Sequence, residues 1–321
     1  MKTHLLTLTV ACAAATGVAV PANAADYPTK PIKIIVPYAP GGGTDQFSRT
    51  IADFLSKRFN ESVIVENKAG ANTLIGNQAI ASSAPDGYTF GMISSATTSL
   101  PATMKGFNIN PVKDFSPITQ LVTGDYAFVV STAVPVRSVG ELITYIKANP
   151  DKLNFASSGG SNDLVISLFK TKSGTNIPTI SYKGIAPARQ ALLANEVQIT
   201  LEAVGVAKDL AAAGRMKFLA VTGARRDPFV PDIPTVSENG LEGFSADFWW
   251  GYGGPAGMSS DIVKKLHDGI IDAMKTQALQ NQIKANGNIP VGNSPEEFAR
   301  IIANDVATWT AAARAAGITP Q

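Results

Sequence analysis

The run Ile32–Val36 leads without a spacer into Pro37-Tyr38-Ala39-Pro40-Gly41-Gly42-Gly43-Thr44-Asp45, and an amphipathic helix pattern opens at Thr44. A strand, a glycine corner and a helix in that order make an α/β unit. Three consecutive glycines let the backbone come close to a ligand and turn its N–H groups outward, and the helix start adds the positive end of its dipole. A carboxylate or a phosphate suits such a corner. The scheme recurs at Asn154-Phe155-Ala156-Ser157-Ser158-Gly159-Gly160-Ser161-Asn162, where a strand ends in small residues and a helix follows from about Asn162. Two such corners facing each other across a cleft would hold one anion between two helix N-termini.

Short runs rich in Val, Ile and Phe alternate with helical periodicity along the chain, the pattern of α/β units with mostly parallel strands. Candidate strands are 32–36, 62–66, 89–93, 127–131, 154–157, 179–182, 197–202, 218–222 and 246–251, with helices in the intervals. Ser138-Val139-Gly140-Glu141 has the form of a capping box, with Leu142, Ile143 and Ile146 continuing the apolar face until Asn149-Pro150. Ser294-Pro295-Glu296-Glu297 adds Pro at the first helical position, and that helix is expected to run to Gly317.

Residues 1–24 read as an export signal: Lys2, an apolar run from Leu5 to Val20, and Pro21-Ala22-Asn23-Ala24 as a small-x-small cleavage site before Ala25. No later segment approaches the roughly 20 apolar residues of a membrane span. The single cysteine, Cys12, lies in this leader, so a chain starting at Ala25 has no disulfide, thiolate metal site or cysteine nucleophile. Loss of the leader removes Lys2 and no acid, which takes the formal charge from +2 to +1. A balance so near neutrality argues against nucleic acid as a partner. The remaining chain suffices for two cores of about 100 to 200 residues each.

Catalytic equipment is sparse. His4 leaves with the leader, and His267 sits on the helix of Ile262, Val263, Leu266 and Ile270, so a Ser-His-Asp triad lacks candidates. Gly41-Gly42-Gly43-Thr44-Asp45 has no phosphate-loop lysine, and no His/Cys metal cluster is present. Gly251-Tyr252-Gly253-Gly254-Pro255-Ala256 formally fits a dinucleotide fingerprint, but Pro255 interrupts it far from the N-terminal strand. Export, two domains and little chemistry point to a protein that traps a ligand by closing a hinge, without metal or cofactor.

The opening from Tyr27-Pro28-Thr29-Lys30-Pro31-Ile32 through Asp45 resembles that of the extracytoplasmic substrate-binding proteins of tripartite tricarboxylate transporters, the Bug family. Val65-Glu66-Asn67-Lys68 with Gly70, Ala84-Pro85-Asp86-Gly87-Tyr88-Thr89 and Pro111-Val112-Lys113-Asp114-Phe115 continue the likeness in the family's order. So do Asn154 through Gly159, Tyr182-Lys183-Gly184 with Ala186-Pro187-Ala188, Asp232-Ile233-Pro234-Thr235-Val236 and Pro255-Ala256-Gly257, which extends it over essentially the whole exported chain.

The resemblance implies a two-lobed α/β periplasmic binding protein of type II, with two crossover segments and the ligand cleft between the lobes. Lobe I would be 25–123 plus 248–321 and lobe II 124–247. The family binds carboxylates through backbone groups and waters, and its site maps here onto Tyr38, Ala39, Pro40, Gly41, Gly42, Gly43, Thr44 and Asp45. It continues through Ser94, Ser95 and Thr97, then Ser157, Ser158, Gly159, Ser161, Asn162 and Asp163, and ends with Tyr182, Lys183, Gly184 and Ala186.

The amides of Gly41, Gly42, Gly43 and Thr44 with the Thr44 hydroxyl would hold one carboxylate, and the Ser94, Ser95, Thr97, Ser157 and Ser158 hydroxyls would add donors or place waters. Asp45 is expected to serve the helix start and hold the loop rather than touch an anion. Phe155, Phe248 and Trp249 are the candidates to flank a ring, Trp250 facing the other side of the strand from Trp249. Lys183 reads equally as a ligand contact or a solvated charge.

Three places depart from the family pattern: Ala96-Thr97-Thr98 stands where Gly-Thr-His is frequent, Asp163 where His is common, and Arg189 where an apolar residue is usual. Arg189 is either an exposed helix arginine or a bidentate grip on a second carboxylate, whereas Asp163 or Glu202 in the cleft would repel one or recognise an amine. The expectation is a monomeric receptor that captures a small organic carboxylate, a dicarboxylate and aromatic ones such as terephthalate included. It would deliver this ligand to the membrane subunits of a transporter. A co-receptor that presents the same ligand to a sensor and a secreted serine hydrolase are the alternatives.

Overall fold

The computed structural model describes residues 27–157, 161–182 and 184–315. The expected leader with Cys12, the last residues before Gly317, and Ser158, Gly159 and Lys183 lie outside the described residues.

Strand β1 (Ile32–Val36) passes through the glycine corner into α1 (Gly43–Phe59). Phe47, Ile51 and Leu55, four residues apart, put one fully buried stripe of α1 on the sheet, and Asn60 at φ 54° ends the helix in the left-handed region. The unit repeats with β2 (Val63–Asn67) and α2 (Leu74–Ala81), then β3 (Thr89–Ser94) and α3 (Ser95–Thr103).

β4 (Phe115–Val130) leads to α4 (Val139–Ala148), where Ser138 accepts the Glu141 amide as the capping pattern predicts. There follow β5 (Phe155–Ser157), α5 (Ser161–Ser173), β6 (Thr179–Ser181), α6 (Ile185–Leu193), β7 (Ile199–Ala203), α7 (Val204–Ala212) and β8 (Lys217–Val221). β9 (Asp247–Pro255), α8 (Ser260–Met274), α9 (Gln277–Ala285), β10 (Ile289–Pro290) and α10 (Pro295–Ala315) complete the chain. At the head of α10, Ser294 accepts the Glu297 amide and Glu297 reaches back to the Ser294 amide, the reciprocal cap read from the sequence.

The strands run β2-β1-β3-β9-β4-β7-β5-β6, with β8 and β10 also paired to β4. The expectation of a mostly parallel sheet holds for β1, β2 and β3 and for β5, β6 and β7, but β4 and β9 run antiparallel to their neighbours. β4 is sixteen residues long, far beyond the expected 127–131. Its first part contains Pro117, Gly124 and Asp125, all poor strand formers, and the pairing with β9 shifts register near Pro117, where no N–H is available.

This one strand serves both halves of the sheet. Residues from Phe115 to Asp125 pair with β9, and those from Tyr126 to Val130 pair with β7. The two sheet halves bury separate apolar clusters, one around Ile34, Phe47, Phe90 and Tyr252, another around Phe128, Phe155, Phe169 and Leu201. α10 touches both sides: Phe298 and Ile302 pack in the first half, Trp309 and Ala312 against the Phe155 cluster of the second.

Gly251, Gly253 and Gly254 of the apparent dinucleotide fingerprint lie inside β9, not in a turn. A Cβ on Gly251 would sit 2.4 Å from the Phe298 ring, so the glycines let α10 and neighbouring side chains lie close on the strand. Phe155, expected beside the ligand, is fully buried with its ring 5.6 Å from Phe128 and 6.3 Å from Phe169. Phe155→Ala should therefore cost about 3–5 kcal/mol in urea unfolding, as a cavity in a closed aromatic cluster does.

Candidate functional site

The loops after β1 and β3 meet at the end of the first sheet half. Tyr38 follows β1, Ser94 closes β3 and caps α3, and their hydroxyls lie 2.8 Å apart. Burial pushes the Tyr38 hydroxyl up from its ordinary value, and hydrogen bonds with Ser94 and Trp250 offset part of that rise. The Ser94 amide donates to Thr97 Oγ1 at 3.4 Å, and Thr97 Oγ1 also accepts from Asn77 Nδ2 at 3.0 Å. Thr97, expected to supply a ligand hydroxyl, is thus turned into the body of the protein, whereas Ser94 and Ser95, also buried, line a cavity.

Tyr38, Ser94, Ser95 and Ala96 line a cavity of about 170 Å³ together with Tyr126, Phe248 and Trp250, and Trp250 is the cross-strand neighbour of Ser94. The first four bring hydroxyls and the start of α3, whose first amides have no acceptor within the helix, the Thr97 amide being capped by Ser94. The last three are aromatic: Tyr126 and Phe248 have ring centroids 5.3 Å apart, Phe248 and Trp250 5.4 Å.

Trp249 belongs to the opposite face of β9. It is buried against Phe298, with ring centroids 5.0 Å apart, and its Nε1 donates to Asp305 at 2.6 Å. Phe248 and Trp249 are neighbours on a strand and must point to opposite faces, so only one of the two expected aromatics reaches the cavity. Trp250 and Tyr126 were missed by sequence reasoning. Strand alternation from Phe248 would have found Trp250; Tyr126 stands just past Gly124 and Asp125, which hide the strand.

The glycine corner is built as the sequence suggests but stands beside this cavity, with Tyr38 its one lining residue. Ala39, Pro40, Gly41 and Gly42 are exposed, and Gly43 is half-buried at the first position of α1. Gly41 adopts φ 91°, open to glycine without strain, and donates its amide to Asp45 Oδ2 at 2.9 Å. Asp45 also accepts from Arg49 Nε at 3.0 Å and Asn67 Nδ2 at 2.9 Å. Burial alone would raise its carboxyl, but the bonds from Arg49, Gly41 and Asn67 outweigh that and hold it below the usual carboxylate range. Asp45 therefore braces the loop, and the Gly41 amide is already spent on it. Gly42, Gly43 and buried Thr44 carry the start-of-helix amides that have no intrahelical acceptor.

In the second half, the Ser157 hydroxyl hydrogen-bonds Asp163 in the first turn of α5, and Asn162 beside it is buried. α5 begins at Ser161. Tyr182 packs on the apolar cluster under α6, Gly184 caps that helix at φ 103°, and Ala186 is exposed on its first turn. Arg189 of α6 and Glu202 of β7 form a two-point ion pair: Nε meets Oε2, and Nη2 lies 3.1 Å from Oε1. Glu202 is fully buried and also accepts the Ala203 amide at 2.8 Å. Each of these two charges answers the other, so neither is a bare group for a ligand.

Behind the aromatic wall stand carboxyls of another character. Burial, then the charges of Asp227 and Asp247, push Asp125 up to about 7. Burial and Asp247 push Asp305 up to about 6 against the opposing bonds from Trp249 and Thr98. His267 lies on α8 with Nε2 3.1 Å from the Asn293 carbonyl and Nδ1 beside Asp268, a packed flank position. Among the described residues no group of three His, Cys, Asp or Glu is placed to hold a metal ion, and no helix is long and apolar enough to cross a membrane.

The family of tripartite tricarboxylate transporter receptors matches residues 47–318 of the chain. The chain belongs to this family. Protein BugT of Bordetella pertussis is 31% identical over 320 residues, spanning 98% of each chain. The R. palustris protein Rpa4515, solved with adipate, is 30% identical with a TM-score of 0.77, covering 92% of this chain and 100% of that one. MatC from Rhodopseudomonas palustris, solved with bound malate, is 26% identical with a TM-score of 0.73, covering 89% and 100%. As a receptor of this family the protein is a solute-binding protein and not an enzyme, and its mixed α/β fold is that of periplasmic binding proteins such as BugD.

Two outcomes follow from the charges. Arg189→Ala would leave Glu202 buried and unpaired and should cost about 3–5 kcal/mol in urea unfolding, whereas the paired change to Met and Gln recovers most of it. A carboxyl raised in the folded state binds its proton more tightly folded than unfolded, so stability falls as pH rises from about 4 through the folded value. The melting temperature should drop from about pH 5 to about pH 8, and Asp125→Asn, with no proton to lose, should shrink that drop.

Proposed function

We propose that this receptor captures a small organic carboxylate between the two sheet halves and delivers it to the membrane subunits of a tripartite tricarboxylate-type transporter. The cavity beside the β4–β9 ladder carries this reading: a polar edge of Tyr38, Ser94 and the α3 amides adjoins a wall of three aromatic rings. An anion seated on that edge meets hydroxyl donors and a helix N-terminus, which suit a carboxylate better than a cation. We further assign the amides of Gly42, Gly43 and Thr44 as a second set of donors that the closing halves bring to the ligand.

Adipate with Rpa4515 and malate with MatC support a dicarboxylate, and an aromatic one such as terephthalate falls within the class. Arg189 is not the grip on its far end, because Glu202 occupies the guanidinium fork. On this reading 25–123 with 248–321 and 124–247 are lobes that move about the two crossing strands, and residues 1–24 direct a monomer to the periplasm. Ligand that touches both lobes favours the closed state by no more than its differential affinity for that state.

The test is a thermal-shift screen of residues 25–321 against mono-, di- and tricarboxylates, acidic amino acids and sugars. At a concentration of about 100 times Kd a bound acid adds about 2.7 kcal/mol of stability and raises the melting temperature, while sugars leave it unchanged. Gly42→Phe should keep the unliganded melting temperature, since Gly42 has φ −77° and open space around its Cβ position, yet lose the shift. Absence of any rise across the acids, repeated after unfolding and refolding to strip retained ligand, would overturn the receptor reading.

A further inference from the structure

On β4 and β9, Gly124 and Phe248 are direct cross-strand partners. A Cβ on Gly124 would lie 2.5 Å from the Phe248 ring, so the missing side chain is what lets that ring lie across the junction. Tyr126 flanks it on one side at an interplanar angle of 57°, and Trp250 on the other at 46°. Trp250 is braced from behind by Phe47, which is fully buried, at 6.1 Å between ring centroids. All three wall residues are only partly buried, and all three line the cavity. Three adjacent aromatics held in fixed orientations and left open on one side make a surface that another ring completes, because tilted and edge-to-face ring pairs gain more than the area they bury.

The dimensions agree. An apolar cavity of about 150 Å³ takes a benzene ring, and this one has about 170 Å³. Hydroxyls of Tyr38, Ser94 and Ser95 lie beside the wall's own phenol and indole, and among the described residues no lysine or arginine lines the cavity. A ligand that fits puts its carboxyl toward the hydroxyls and a flat, apolar body against the wall.

We infer that Tyr126, Phe248 and Trp250, seated over Gly124, select acids with an aromatic ring over saturated acids of the same charge and length. The inference rests on the receptor reading of the same cavity. Its chemical content is the difference between π faces and saturated CH₂ groups at equal size, so isosteric pairs isolate it.

Titration calorimetry on the exported chain would compare benzoate with cyclohexanecarboxylate, and terephthalate with trans-cyclohexane-1,4-dicarboxylate, with adipate as a carboxylate that has no ring. The aromatic member of at least one pair should bind about tenfold tighter, as expected from two ring contacts. Trp250→Leu and Phe248→Leu should bring that ratio toward one, and Trp250→Phe should preserve it; a purely structural role would change both members alike. Gly124→Ala, which drives the Phe248 ring from its seat, should lower the ratio as well. Equal binding within both pairs, or a ratio unmoved in the leucine variants, overturns the inference. Adipate binding without any aromatic preference removes the aromatic selection and leaves the receptor reading standing; no binding of any acid removes both.

Discussion

The antiparallel pairing of β4 with β9, from Phe115 opposite Pro255 to Asp125 opposite Asp247, is the contact on which the rest of the molecule is arranged. Backbone hydrogen bonds along this ladder carry the chain from one sheet half to the other and back, and strand alternation sorts the side chains of both strands onto two faces. Gly124, Tyr126, Phe248 and Trp250 fall on the cavity side. Asp125, Asp247 and Trp249 fall on the other, where α10 covers Trp249. One pairing thus sets the aromatic wall of the cavity and its backing together, and a slip of one residue would exchange them.

The backing is electrostatically uneasy. Asp125 and Asp305 have carboxyls pushed toward neutrality by burial and by one another's neighbours, while Asp305 still holds the Trp249 indole and the Thr98 hydroxyl. Elsewhere the protein resolves its buried charges by pairing, as Arg189 does for Glu202 and Arg49 with Asn67 for Asp45. The contrast separates two uses of an acid: braces that keep loops and helices in place, and a protonatable set at the junction of the halves.

Much of the architecture was legible. The strand cores around Ile32–Val36 and Thr89–Ser94, the caps at Ser138 and Ser294, the role of Asp45 and the opposite facing of Trp249 and Trp250 all follow from period, cap chemistry and dipole, which act within a few residues. The length of β4 was not, because Pro117, Gly124 and Asp125 disfavour a strand locally and only the β9 ladder overrides them. For the same reason Tyr126 went unnoticed and Phe155, an aromatic at a strand end, was placed beside the ligand instead of in the cluster that buries it.

By itself the sequence determined the alternation of strands and helices, the two glycine-rich corners, the family and the shortage of catalytic groups, all properties of local pattern and composition. Only the tertiary structure decided which aromatics share a face, that Thr97 turns inward to Asn77, and that Arg189 closes on Glu202 thirteen residues away. Those outcomes depend on which partner arrives from a distant segment, and a buried charge or ring takes its role from that partner.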